Sequence, residues 1–127
     1  MKIIVTSKNA PAPIGPYSHA VMAGNTLYIS GQVGKNPVTG AIENESIETE
    51  TRRVMENLKG ILNDAGLDFS DVVKTTIFLT DLNNFSRVNE VYGSYFEANF
   101  PARETVQVSR LPLDVNVEIS MIAVKLL

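Results

Sequence analysis

Two amphipathic helices set among strands constrain the fold of this chain more than any other feature. From Ser46 to Ala65, the residues Ile47, Thr51, Val54, Leu58, Ile61, Leu62 and Ala65 recur at helical spacing and form one face. Ser46 suits the N-cap, Glu48 and Glu50 suit the positive end of the helix dipole, and Gly66 suits the C-terminal stop. A second helix is predicted from Asn84 to Asn99, with Phe85, Val88, Tyr92, Tyr95 and Phe96 as its buried stripe and Pro101 ending it. Two helices can cover only one side of a sheet, so the other side must be bare or must find a partner.

The strands are read from shorter patterns. His19 to Ala23 and Thr26 to Ser30 flank Gly24-Asn25, a two-residue turn that tolerates positive φ, and so predict a hairpin. Val72 to Leu79 is rich in β-branched and aromatic residues. Glu104 to Val108 and Val117 to Val124 are the last strands, separated by a Leu111-Pro112-Leu113-Asp114 loop. The order is β-β-β-α-β-α-β-β, an α+β layout with a single mixed sheet and both helices packed on one face. Asn9 to Pro16 holds three prolines and a glycine, so it is extended and stiff, and it leads to Tyr17. Gln32 to Asn44 is a long loop, and the Gly24 and Gly31 to Gly34 glycines match no phosphate-loop spacing and read as turns.

Composition excludes several chemistries. The 127 residues fit one domain, 1–127, large enough to fold without staples. There is no cysteine, which removes disulfides, thiol nucleophiles and cysteine-ligated zinc, and the single histidine, His19, argues against a histidine-built metal site. His19 reads as a satisfied strand histidine rather than a catalyst. A net charge of −3 speaks against nucleic acid as a partner. No apolar run has the roughly 20 residues of a membrane span, and the run at the N-terminus is too short for a signal peptide, so a cytoplasmic protein is expected.

The last strand exposes the two-sided problem. Val117, Ile119, Met121 and Ala123 form one face, while Glu118, Ser120, Ile122 and Val124 form the other, which turns apolar towards its end. The uncovered face should therefore meet another copy of the chain. In Phe100-Pro101-Ala102-Arg103-Glu104-Thr105-Val106-Gln107-Val108, the residues Arg103, Thr105 and Gln107 share a face opposite Val106 and Val108. An arginine presents a planar fork of donors that suits a carboxylate, so it marks either a pocket for a small acid or a surface ion pair. Strand pairing is expected to bring Arg103 and Thr105 to the face that carries Glu118. Charged groups on a face buried between copies are costly unless paired or used, which makes the groove between subunits the candidate site.

These segments resemble the RidA/YjgF family of reactive-intermediate (enamine/imine) deaminases. The residues that carry the resemblance are Ile14-Gly15-Pro16-Tyr17-Ser18, Ile29-Ser30-Gly31-Gln32, Val73-Lys74-Thr75-Thr76, Asp81-Leu82-Asn83-Asn84-Phe85 and Val88-Asn89-Glu90-Val91-Tyr92. Phe100-Pro101-Ala102-Arg103, Arg110-Leu111-Pro112 and Val117-Glu118-Ile119 complete the set, and their order spans essentially the whole chain. The resemblance implies a chorismate-mutase-like fold assembled as a homotrimer, sheets inward, with three clefts between subunits. It implies hydrolysis of 2-aminoacrylate-type enamines, or their imine tautomers, to 2-keto acids and ammonia, with no metal or cofactor. It also implies a functional link to the pyridoxal-phosphate-dependent dehydratases that release those species.

On that reading Arg103 grips the substrate carboxylate, and Glu118 holds the attacking water or moves its proton. Tyr17, from the subunit across the cleft, closes one wall and offers a hydroxyl. Some family members carry cysteine where this chain has Thr105; a threonine offers no thiol, and imine hydrolysis needs none, so Thr105 is expected to act through its backbone and hydroxyl. Ser30 and Gly31 lie at the hairpin end, where the Gly31 backbone can approach substrate closely. Asn89, on the second helix, either reaches the cleft or faces solvent. Two other functions compete: a non-catalytic trimer whose clefts bind small carboxylates in a regulatory role, and an endoribonuclease, a role attached to some relatives that the acidic balance disfavours.

Overall fold

A computed structural model describes residues 1–126. The element order is β1 (Lys2–Val5), β2 (Ala20–Ala23), β3 (Thr26–Gln32), α1 (Ile47–Asp64), β4 (Val72–Leu79), α2 (Phe85–Gly93), β5 (Ala102–Gln107) and β6 (Val117–Val124). All six strands form one sheet in the order β1-β2-β3-β6-β4-β5, antiparallel except for the β4–β5 pair, which is parallel. A parallel pair needs a long crossover, and α2 supplies it. β5 is left as an edge strand.

Local chemistry sets most boundaries. The β2–β3 hairpin turns at Gly24, whose φ is +59°, as the Gly24-Asn25 pair predicts. Ser46 caps α1 by accepting a hydrogen bond from the Thr49 N–H at 3.0 Å, and Gly66 (φ +78°) lets the chain leave the helix. The first-turn glutamates do more than face the dipole: Glu48 makes a bidentate pair with Arg87 of α2, while Glu50 is fully buried.

α2 is shorter than the predicted 84–99 helix, ending at Gly93. Glycine is a poor helix residue, and the Ser94 hydroxyl takes the Val91 carbonyl at 2.6 Å, which competes with the next helical bond. Tyr95 and Phe96 then donate to carbonyls three residues back, a tighter winding that closes the helix. Phe96 still packs on Phe69, Tyr92 and Phe100, but Phe85 is exposed rather than buried and belongs to the site described below.

The core lies between the helices and one sheet face. Val54, Leu58, Ile61 and Leu62 of α1 meet Ile77 and Leu79 of β4 and Val117, Ile119, Met121 and Ala123 of β6, all nearly or fully inaccessible. On the other face of β6, Glu118, Ser120, Ile122 and Val124 are only half-buried, and on the same face of the sheet Tyr28 of β3 and Val106 of β5 are exposed. The bare second face is thus as expected from two helices and one sheet.

Candidate active site

The register decides which groups can meet. Arg103 of β5 is paired with Thr75 of β4, and Thr75 with Met121 of β6. Thr75 is fully buried and its hydroxyl accepts from the Tyr92 hydroxyl of α2 at 3.0 Å, so this row faces the helices. Thr105, paired with Ile77, and Gln107, which accepts from the Leu82 N–H, follow on the same side. Glu118 is paired with Phe78, and Phe78 with Val106, on the open face. Arg103 and Thr105 therefore do not share a face with Glu118, contrary to the expectation from sequence. A one-residue difference in register reverses every side chain of a strand, and the alternation within β5 alone does not fix it.

The site falls into two halves. The first is built on Arg103. Its Nη1 donates to the Asn89 Oδ1 at 2.7 Å, so Asn89 reaches the site from α2. Its guanidinium carbon lies 5.5 Å from the Phe85 ring centre and 5.2 Å from that of Tyr92. Contacts of this kind contribute roughly 0.5–2 kcal/mol each, and they hold the plane of the fork. Among the described residues no carboxylate pairs with Arg103; the ion pairs found are Lys74–Glu104, Arg87–Glu48 and Arg110–Asp114. Within one copy of the chain, Arg103 is therefore not tied up in an ion pair among the described residues. An open cavity of about 310 Å³ adjoins it, lined by Asn89, Tyr92, Gly93, Phe100 and Pro101. Two residues along the strand, the Thr105 hydroxyl oxygen is buried and has no hydrogen-bond partner among the described residues.

The second half lies around the end of β3. Between Ile29 and Gln32 the β3–β6 register shifts, so that Ser30 and Gly31 stand opposite the single residue Ser120. This bulge brings the Gly31 backbone under the Glu118 side chain: a Cβ on Gly31 would sit 2.5 Å from its Oε2. Gly31 is therefore a close approach inside a strand, not a turn, and Gly34 is likewise packed tightly against Glu50. Glu118 is half-buried, its carboxylate makes no hydrogen bond to another described residue, and burial pushes its carboxyl above the usual range. The Ser30 hydroxyl donates to the Ser18 carbonyl at 2.7 Å, which leaves its lone pairs free to accept. Tyr17, at the end of the proline segment, has 48% of its surface exposed and shares a narrow crevice with Gly31.

His19 is structural, as expected. It is buried, its Nδ1 accepts from the Ser7 N–H at 3.0 Å, and its Nε2–H donates to the Pro11 carbonyl at 2.6 Å. Sequence reasoning missed Phe85 and Tyr92 as the aromatic faces around Arg103, because aromatic residues at helical spacing read as core.

Comparison with known proteins agrees with this architecture. The family model described as Endoribonuclease L-PSP matches residues 7–125. A RutC family protein of Pyrococcus horikoshii is 51% identical over 125 residues, covering 98% of this chain and 99% of its own. The chain belongs to the RidA/YjgF family. Within that family, the 2-iminobutanoate/2-iminopropanoate deaminase of Bos taurus is 49% identical over 124 residues, 98% of this chain and 90% of the relative. Among solved structures, E. coli TdcF with bound serine superposes with a TM-score of 0.94 at 42% identity, covering 98% of this chain and 99% of that one. The span matched by the family model, 7–125, includes the residues described above.

Proposed function

We propose that this chain is a 2-iminobutanoate/2-iminopropanoate deaminase. It hydrolyses the imine of a short 2-keto acid, or the enamine that tautomerises to it, and acts in clefts between copies of a homotrimer. The observation that carries the reading is the unpaired Arg103 fork, held by Asn89 and two aromatic faces, in a chain whose partnerless Glu118 lies on the other face of the sheet. Each half lacks what the other has, and they can meet only between copies. The bare face that carries Glu118 is the surface such an assembly would cover.

The chemistry follows from these groups. Arg103 binds the substrate carboxylate in two parallel hydrogen bonds, which contribute about 1.5–3 kcal/mol and fix the imine carbon in place. Glu118 of the neighbouring copy, with its proton affinity raised, takes a proton from water as the water oxygen bonds to that carbon. Glu118 returns that proton to the nitrogen, which gives the neutral carbinolamine; it then takes the carbinolamine hydroxyl proton as the carbonyl of the 2-keto acid forms and hands it to the nitrogen as the C–N bond breaks, so that ammonia leaves with both protons of the water. Tyr17 and the lone pairs of Ser30 line the Glu118 side, and the Thr105 hydroxyl lies buried and without a partner among the described residues two positions along the strand from Arg103. The deaminase name of the bovine relative and the serine in TdcF, a small amino acid with a carboxylate, support this assignment.

Mixing two inactive variants tests it. Arg103→Ala and Glu118→Gln should each lose release of 2-keto acid and ammonia from 2-aminoacrylate generated in situ. Unfolded together and refolded as an equal mixture, they should recover about a quarter of the wild-type rate, because that fraction of inter-subunit sites receives both intact groups. No recovery, with mixed oligomers demonstrated by native mass spectrometry, would show that the two residues do not act in one shared site.

A further inference from the structure

We infer that Glu50 is a positioning residue that sets Glu118 for proton transfer; the inference rests on the deaminase reading above. Glu50 stands in the first turn of α1 and is fully buried, with 0% of its surface accessible. A buried carboxylate is costly unless its oxygens are satisfied, and among the described residues no cation satisfies them. Every hydrogen bond it accepts comes from two consecutive residues. The Asn116 N–H donates to Oε2 at 2.8 Å, the Asn116 side-chain amide to Oε1 at 2.8 Å, and the Val117 N–H to Oε2 at 3.2 Å. The Asn116 carbonyl in turn accepts from the Thr80 N–H at 3.2 Å, just past β4. Both main-chain polar groups of Asn116 are thereby committed, and β6 starts from a fixed point.

Glu118 is the next residue after Val117. The strand that seats it is tied to Glu50 from the other side as well. Gly34 packs so tightly on Glu50 that a Cβ would lie 2.9 Å from its Cγ, and Gly31, three residues earlier, underlies the Glu118 carboxylate. One short segment leaving β3 is thus bracketed by the two glutamates. Glu50 fixes the strand before Glu118 and the segment beneath it, and so fixes how deeply the Glu118 carboxyl is held from solvent. Its action on the reaction passes through Glu118 alone, since it lies on the helix side of the sheet and touches no group proposed to bind substrate.

The test is a set of pH–rate profiles for wild type, Glu50→Ala, Glu50→Gln, Glu118→Gln and the Glu50→Ala/Glu118→Gln double variant, each confirmed as folded and of native oligomeric size. Glu50→Ala should lower kcat about tenfold or more with KM nearly unchanged. The acid limb of its kcat/KM profile should move to lower pH as Glu118 gains solvent. Glu50→Gln keeps the size and one acceptor oxygen and should retain most of the rate. In the Glu118→Gln background, Glu50→Ala should add no further loss. Multiplying losses in the double variant, or an unmoved acid limb in Glu50→Ala, would overturn the inference while leaving the deaminase assignment intact. If Glu50→Ala does not fold, Asn116→Ala removes one donor to Glu50 and must shift the acid limb in the same direction. A wild type that hydrolyses no imine would sink the assignment first, and the inference with it.

Discussion

Arg103 and Glu118 lie on opposite faces of one sheet, with β4 running between their strands. They are two strand spacings apart across the sheet, roughly 10 Å, and three residues apart along it, roughly another 10 Å. No side-chain rotation brings them together within one chain. A shared site therefore requires a second copy, and that requirement makes separate experiments on each half informative.

The Arg103 half predicts a loss in binding that charge alone does not restore. Arg103→Lys keeps the cation but loses the fork and its stacking on Phe85 and Tyr92. We expect kcat/KM for imine hydrolysis to fall by about 10- to 100-fold, most of it in KM, the scale of a charge-assisted hydrogen bond. Steady-state kinetics with an imine generated by an amino-acid oxidase measures this; a KM equal to that of wild type would remove Arg103 from carboxylate binding.

Thr105 offers a cleaner separation of stability from function. Its hydroxyl oxygen is buried without a partner among the described residues, so Thr105→Val breaks no hydrogen bond and relieves a desolvated polar atom. The melting temperature should hold or rise. Turnover should fall by about three- to tenfold if the hydroxyl serves water or substrate, the scale of one neutral hydrogen bond. A drop in stability with unchanged turnover would show the hydroxyl to be part of the fold instead.

Much of this arrangement is legible in the sequence because it is set by neighbours along the chain. The Ser46 cap, the Gly24 turn and the alternation of Val117, Ile119, Met121 and Ala123 depend on residues within a few positions. The alternation of Arg103, Thr105 and Gln107 is legible too. What it cannot give is the side of the sheet they face, because that depends on pairing with β4, a strand more than twenty residues away. The end of α2 is hidden for a related reason: Tyr95 and Phe96 keep helical spacing while Gly93 and Ser94 undo the helix beneath them. The bulge at Ser30-Gly31 did leave a signal, an isolated glycine following the Leu27-Tyr28-Ile29 strand run, which marks bulges and close approaches more often than turns.

That bulge makes a prediction of its own. A Cβ at Gly31 would sit 2.5 Å from Oε2 and 2.8 Å from Cδ of Glu118, the far end of a side chain that can swing away. Gly31→Ala should therefore fold, with its circular dichroism unchanged, while the displaced carboxyl lowers kcat by about 100-fold, the effect expected for a misplacement near 1 Å. Wild-type turnover in a folded Gly31→Ala protein would show that the position of Glu118 is not needed.

Glu118 also carries a pH signature in stability. Burial raises its carboxyl pKa in the folded chain above the unfolded value, so between the two values the folded state binds more protons than the unfolded state. Stability from this group is fully present below the unfolded carboxylate pKa, near 4.3, and is lost as pH rises through the folded one. Glu118→Gln removes the ionisation. It should be more stable than wild type at pH 7, and the advantage should shrink as pH falls towards the ordinary carboxylate range. Paired thermal melts across that interval measure it. A difference that grows on acidification would mean that Glu118 is held as a charged, partnered group.

His19 closes the set, because it is the one residue a search for catalysts would choose first. It stands before β2 and ties Ser7 to Pro11, on either side of the turn into the proline segment that carries Tyr17. His19→Ala would strand the buried Ser7 N–H and the Pro11 carbonyl, at about 1–3 kcal/mol for each unsatisfied group. The expected result is a lower melting temperature and an unchanged response of kcat to pH in the molecules that remain folded. The slope of the rate profile decides the matter: if His19→Ala abolishes a limb that Glu118→Gln leaves in place, the histidine takes part in proton transfer and its hydrogen bonds are not its whole role.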